Sequence, residues 1–164
     1  PLPPSCSVGT MARCASPISL TSVVCKVMER LLKEDITQFL NENKLLSSHQ
    51  HGFRNMKSCT TNLLESMDFL TKSLSEHSWI VILFIDFAKA FDMVPHKKLI
   101  YKLKKYGIDG KVLKWVEAFL SNRKQRVVLG EHTSDWDKVI SGVPQGSVLG
   151  PLLFLIVINE LILL

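Results

Sequence analysis

An acid that closes a run of seven apolar residues, Trp79 to Ile85, is the first candidate for chemistry in this chain. The run is mostly β-branched or aromatic and has no polar break, which fits a central strand covered on both faces. Asp86 at its end would stand on a rigid support at the rim of the core, where a metal ligand or a catalytic acid belongs. The same residues also fit a plainer arrangement, in which Asp86 N-caps a short helix from Phe87 to Met93. Two further stretches carry suitable side chains. In His49 to Ser58, Arg54 and Lys57 put two cations close together beside Gly52, a pairing that can hold a phosphate or simply form a solvated basic loop. In Ser141 to Pro151, three glycines and two prolines make a constrained loop around Gln145 and Gly146. It has no Gly-Lys-Ser/Thr and so is not a P-loop. A glycine beside an amide side chain lets a ligand approach the backbone while Gln145 hydrogen-bonds it; otherwise the loop only starts a helix.

The elements that must position these residues can be read from periodicity and punctuation. A long amphipathic helix spans about Thr21 to Asn41, with Val24, Val27, Met28, Leu31, Leu32, Ile36, Phe39 and Leu40 at the 3.6-residue period and Thr21 or Ser22 as cap. A second helix runs from about Thr60 to Ser75, with Leu63, Met67, Leu70 and Leu74 on one face. Val94-Pro95 breaks the backbone. A helix follows from His96 to Tyr106 with Leu99, Ile100, Leu103 and Tyr106 inward, ended by Gly107. The next covers about Lys111 to Ser121 with Val112, Leu113, Val116, Phe119 and Leu120 inward. Gln125 to Gly130 and Trp136 to Ile140 pair as a hairpin. Leu152 to Leu164 is very apolar but contains Asn159 and Glu160 and falls short of a bilayer span, so it reads as a buried helix. Residues 1–15, rich in Pro, Ser and Gly, read as a disordered tail, and 16–164 as one α+β domain.

Composition narrows the partners. The chain is 46% hydrophobic and 21% charged, enough to bury a sizeable core. Net charge is +5, and 10 of the 20 Lys and Arg residues lie between His96 and Arg126. Lys97, Lys98, Lys102, Lys104, Lys105, Lys111, Lys114, Arg123, Lys124 and Arg126 are interleaved there with Tyr101, Tyr106 and Trp115. A run of charge is commonly a solvated face, but one so dense and one-signed also suits a nucleic-acid backbone. The four cysteines have no C-x-x-C pair or zinc-like spacing, so they read as buried, reduced thiols of an intracellular protein. No signal peptide and no membrane partner are expected.

Five blocks in order carry a resemblance that none carries alone. PISLTSVVCKVMER, QHGFR with a following Ser, FIDFAKAFDMVPH, the spacing of YGI, W and FLSNRKQRV, and GVPQGSVLGPLLFLIVIN together resemble a reverse transcriptase of the non-LTR, jockey-like or LINE-like type. The likeness covers about Pro17 to Asn159. It implies a right-hand polymerase fold, here the fingers and a partial palm. It also implies an RNA template, a DNA primer and deoxynucleoside triphosphates as partners, two Mg²⁺ ions as cofactors, and a place in the cytoplasm and nucleus. By the same resemblance Asp86 matches the first metal-binding carboxylate. Phe87 matches the position whose backbone lies by the second metal and the triphosphate, and Phe91 matches the gate against a 2′-hydroxyl. Gln145 and Gly146 match the loop on the incoming nucleotide and template. Arg54 and Lys57 fall in the fingers motif that meets phosphates. Asp92 matches the motif's second Asp, whose part is structural or indirect. The basic set Lys97, Lys98, Lys104, Lys105, Arg123, Lys124 and Arg126 is assigned to nucleic acid.

The pattern is not complete. Met56-Lys57 stands where relatives carry Gly before the cation, and Ser16 where they carry Arg. The chain contains no Asp-Asp pair, the source of the other two metal carboxylates in the family, and Asn159-Glu160-Leu161 stands where relatives have Asn-Asp-Leu. The expectation is a domain that stops before the palm hairpin and thumb and does not extend a primer by itself. The rival is a non-catalytic nucleic-acid-binding remnant of a mobile element, and a group II intron maturase is a third reading. Oligomeric state and template specificity are left open.

Overall fold

The computed structural model describes Ser19 and residues 21–163. The expected tail 1–15, with Cys6 and Cys14, lies outside the described residues, as does Pro17. Helix α1 (Val23–Glu42) starts where the Ser22 hydroxyl accepts the Cys25 N–H at 3.2 Å. Its buried stripe is Glu29, Leu32, Ile36 and Leu40. Val24, Val27, Met28 and Leu31, which share its apolar period, are exposed. Helix α2 (Cys59–Ser75) opens on a capping box between Ser58 and Thr61 and has no buried residue. Its expected inward face is therefore uncovered, with Leu63, Met67 and Leu74 exposed. Cys59 is exposed as well, and Cys25 half-buried, both as free thiols, so the buried-thiol expectation does not hold for Cys59.

The core forms around α3 (His96–Lys105), which packs on α4 (Gly110–Leu120) and on α5 (Gly150–Ile158). Leu99 and Leu103 of α3, Val116 and Leu120 of α4, and Leu153, Leu155 and Ile156 of α5 are fully enclosed together with Leu40 of α1. Burying each such side chain stabilises by about 1.5–3 kcal/mol. α5 is apolar on every face and enters with Pro151 in its first turn, where a missing N–H costs nothing.

Between α4 and α5 the chain makes the expected hairpin as two short antiparallel ladders, β1 (Lys124–Gln125) with β4 (Asp137–Lys138) and β2 (Val128–Leu129) with β3 (His132–Thr133). They are separated where Ser134 exchanges hydrogen bonds with the Val127 backbone.

The central strand is the expectation that fails. Residues 79–87 form no strand, and Val81 and Phe84 are 96% and 90% exposed. A strand exists only if neighbours take up its N–H and C=O groups. Among the described residues the four strands pair only with one another. The plainer alternative fails too: residues 88–93 are turns rather than a helix, closed by the Asp92 and Met93 N–H groups on the Lys89 carbonyl.

Lys102 is a second correction. It is not on the basic surface but 3% exposed. Its ammonium donates to the Val157 carbonyl at 2.6 Å and pairs with Glu160 at 3.1 Å. On a helical wheel Lys102 falls beside Leu99 and Tyr106, so it must follow them inward. Glu160 lies on the 3₁₀ turn Asn159–Leu163, also 3.7 Å from Lys105. The Lys102 hydrogen bond and charge hold the Glu160 carboxyl below its ordinary value. A depressed folded-state value stabilises above the usual carboxylate range, and that contribution disappears as pH falls through the lowered value. We expect Lys102→Met to flatten the acid limb of the unfolding midpoint plotted against pH; an unchanged limb would refute the pairing.

Candidate functional site

Two segments far apart in sequence are bound edge to edge. The Gly142 N–H donates to the Val94 carbonyl at 2.8 Å and the Val143 N–H to the Phe91 carbonyl at 2.9 Å. The Ser141 hydroxyl donates to the Asp92 carbonyl, and the Gln145 amide nitrogen to the Asp92 carboxylate, each at 2.9 Å. Gln145, Phe91 and Asp92 are thereby fixed side by side. The Gln145 carbonyl also accepts the Ser19 N–H at 2.7 Å, and Gly146 follows, exposed, in the turn closed by the Ser147 N–H on the Pro144 carbonyl.

Phe91 is the junction of this wall. Its ring stacks on Phe154 of α5 at 4.8 Å and meets Phe53 edge-on at 5.9 Å. Phe53 belongs to the 49–57 loop, so Phe91 gathers three of the stretches singled out from sequence. Within that loop Arg54 donates to the Ser47 carbonyl and Lys57 to the Ser48 carbonyl, each at 2.7 Å, so both cations are anchored on adjacent residues. Lys57 also reaches Glu65 of α2 at 3.3 Å. The buried His51 ring bridges Thr61 at 2.8 Å and Glu65 at 2.9 Å. The His51 hydrogen bond, more than Lys57, holds the Glu65 carboxyl below its ordinary value.

Asp86 and Phe87 lie on the exposed segment before the turn, so Asp86 is not on the strand end expected for it. Among the described residues no three His, Cys, Asp or Glu side chains gather as a metal ion would need. Asp86 alone does not fit a two-ion site, whose ions sit roughly 3.5–4 Å apart and are clamped by several carboxylates.

The basic set divides in two. Lys97, Lys98, Lys104 and Lys105 are exposed on α3. Seven residues are two helical turns, so these four form one face, with the 68%-exposed Tyr101 at its centre. Arg123 is half-buried, donates to the Gly142 carbonyl at 3.4 Å, and burial pulls its guanidinium down from its ordinary value. His96 reaches the same carbonyl at 2.8 Å. Arg126 stacks over Trp136, 4.6 Å from the ring centre, and Lys124 is exposed on β1. Of the three interleaved aromatics only Tyr101 faces outward. Trp115 stacks on Phe119, and the Tyr106 hydroxyl accepts from the buried Asn159 amide at 3.1 Å.

Asn159 and Glu29 are the polar residues that sequence reading missed. Asn159 also donates to the Leu45 carbonyl and accepts the Ser47 N–H, joining α5 to the start of the 45–57 loop. Its signal was an amide inside an otherwise apolar run. The signal for Glu29 was its helical register with Leu32, Ile36 and Leu40.

Comparison with known proteins agrees with this arrangement of blocks. The chain belongs to the reverse transcriptase (RNA-dependent DNA polymerase) family, whose sequence model matches residues 15–163. Within that family it is jockey-like. It is 33% identical over 144 residues to a probable RNA-directed DNA polymerase from transposon BS of Drosophila melanogaster, covering 84% of this chain and 15% of that protein. It is 30% identical over 145 residues to the RNA-directed DNA polymerase from mobile element jockey of the same organism, covering 88% and 16%. The chain thus spans about 15% of the length of these relatives. Among the described residues no helix is long and apolar enough to cross a membrane.

Proposed function

We propose that this chain is the part of an RNA-directed DNA polymerase that seats the template and the incoming deoxynucleotide. The observation that carries the reading is the 2.9 Å hydrogen bond from Gln145 to Asp92, which with the Val143–Phe91 bond sets an amide and an aromatic ring on one wall. The ring supplies a flat apolar surface against a sugar or base, and Gln145 supplies directional hydrogen bonds. Phosphates are met by cations: Arg54 and Lys57 on the loop joined to this wall through Phe53, and the α3 lysines for the nucleic-acid backbone. Arg123, Lys124 and Arg126 extend that basic surface. In this reading Asp86 and Phe87 approach the nucleotide from the 79–87 segment and Gly146 lets the template lie close to the backbone. Family membership supports RNA template, DNA primer and deoxynucleotides as partners.

The test has two arms. The 164-residue chain should bind an RNA–DNA hybrid with a recessed primer, and Gln145→Ala should weaken a matched-nucleotide complex about tenfold. Absence of binding sinks the reading. In a primer-extension assay with Mg²⁺ the same chain should give no product above background, because Mg²⁺ is held weakly by one carboxylate and water. Product that disappears on Asp86→Ala would show that this stretch polymerises by itself. Binding without product fits the nucleic-acid-binding role.

A further inference from the structure

Glu29 is an acid placed where its helix asks for a leucine. It lies in the buried stripe of α1 with Leu32, Ile36 and Leu40 and is 0% exposed. Among the described residues no cationic side chain pairs with it. Its carboxylate instead accepts two backbone N–H groups, from Val148 at 2.7 Å and from Leu149 at 3.0 Å, at the residues leading into α5. The other oxygen lies 3.5 Å from the Cys25 thiol, and burial, then Glu29 itself, pushes that thiol up. A carboxylate taken out of water is costly, and a well-packed apolar residue of similar size commonly stabilises as much or more. What an apolar residue cannot do is fix the two N–H groups.

Those N–H groups stand at the exit of the loop that carries Gln145. Its entrance is fixed by the Gly142 and Val143 bonds to Val94 and Phe91. The middle is tied to Ser19, just before α1, through the Gln145 carbonyl. The Ser147 hydroxyl, which accepts the Gly150 N–H at 2.9 Å and donates to the Pro144 carbonyl at 2.7 Å, makes the turn and the helix start one unit. A shift at Val148 and Leu149 therefore moves Gln145 relative to Asp92 and Phe91.

We propose that Glu29 is a positioning residue for the Gln145–Gly146 turn: it holds the exit of the loop so that Gln145 stands at the height the nucleotide and template require. This rests on the nucleotide-seating reading above. Glu29 touches no substrate and acts through Gln145.

The experiment uses the 164-residue chain with Glu29→Gln, Glu29→Met, Gln145→Ala and the corresponding doubles. Amide exchange of Val148 and Leu149 reports the clamp directly. In Glu29→Met both amides should exchange about a hundredfold faster while α3 and α4 stay protected. Glu29→Gln, close in shape and keeping one acceptor, should fall between. The second readout is affinity for an RNA–DNA hybrid with a matched deoxynucleotide. Glu29→Met should lower it about tenfold, and adding Gln145→Ala should cost nothing more, because residues acting through one contact are not additive. Unchanged exchange at the two amides, multiplicative losses in the double variant, or protection lost equally across α3 and α4 in both Glu29 variants would each overturn the proposal. A wild-type chain that does not bind the hybrid overturns the nucleotide-seating reading instead, and the exchange data then judge the clamp by themselves.

Discussion

Gly142→Ala is expected to lower the unfolding free energy by about 3 kcal/mol or more. Two costs add at this position. The backbone has φ of +88°, where a residue with a Cβ is strained. The added methyl would lie 2.8 Å from both the Cα and the carbonyl oxygen of Asp92. Those are backbone atoms, so no side chain can rotate out of the way. Relief requires the 141–143 strip to lift off residues 91–94, and with it go the Gly142–Val94, Val143–Phe91 and Ser141–Asp92 hydrogen bonds. Gly110→Ala is the matched control. It also sits at positive φ, +61°, but a Cβ there meets nothing within 4 Å. The control should cost about 1 kcal/mol, from backbone conformation alone. Denaturant unfolding of the two variants decides the matter: if Gly142→Ala costs no more than Gly110→Ala, the close approach is not real. Because the same strip holds Gln145 against Asp92, Gly142→Ala should also abolish the nucleotide effect of Gln145 at temperatures where the variant remains folded.

What could be read from the sequence was whatever depends on local order. α1, α3 and α4 begin and end within two residues of the expected bounds, because caps, Gly107 and the 3.6-residue period are properties of neighbouring residues. The hairpin between α4 and α5 was legible for the same reason. The 79–87 segment shows the limit. Its pattern is that of a buried strand, but whether a strand forms depends on partners that no local pattern contains. α2 fails in the same way: its apolar face was legible, its lack of cover was not. At the site, the stretches containing Phe91, Gln145 and the 49–57 loop were singled out separately. The hydrogen bonds that join the first two run between residues about 50 positions apart, and the loop joins them through the Phe53–Phe91 ring contact. Lys102 and Glu29 were missed for a different reason. Lys102 was read by residue type, as surface charge, and Glu29 was not singled out, although their helical positions put both in line with leucines.

Reversing the charge at Lys97, Lys98, Lys104 and Lys105 together should weaken binding of an RNA–DNA hybrid by roughly a hundredfold or more at low salt. The four ammonium groups occupy one exposed face of α3 around Tyr101. Each lysine that neutralises a phosphate releases a counterion, so affinity falls with salt at a log–log slope of about −0.9 per contact. Removing four contacts should make that slope shallower by about 3–4 as well as lowering affinity. The change in slope separates lost phosphate contacts from damage to the fold, which would scale affinity without altering the slope. Replacement by Gln gives the same reading without added repulsion. It is the fairer variant at Lys105, which lies 3.7 Å from Glu160, and at the last turn of α3, where a positive charge favours the helix end. Lys102→Met is the internal control: its ammonium is spent on the Val157 carbonyl and Glu160, so it should leave the salt slope unchanged. Tyr101→Ala should weaken binding to single-stranded RNA more than to the hybrid, since only unpaired bases offer a face to stack on. A salt slope that is the same in wild type and in the fourfold Gln variant would show that this face is merely solvated, and the seat for nucleic acid would then have to be found at the Arg54 and Lys57 loop.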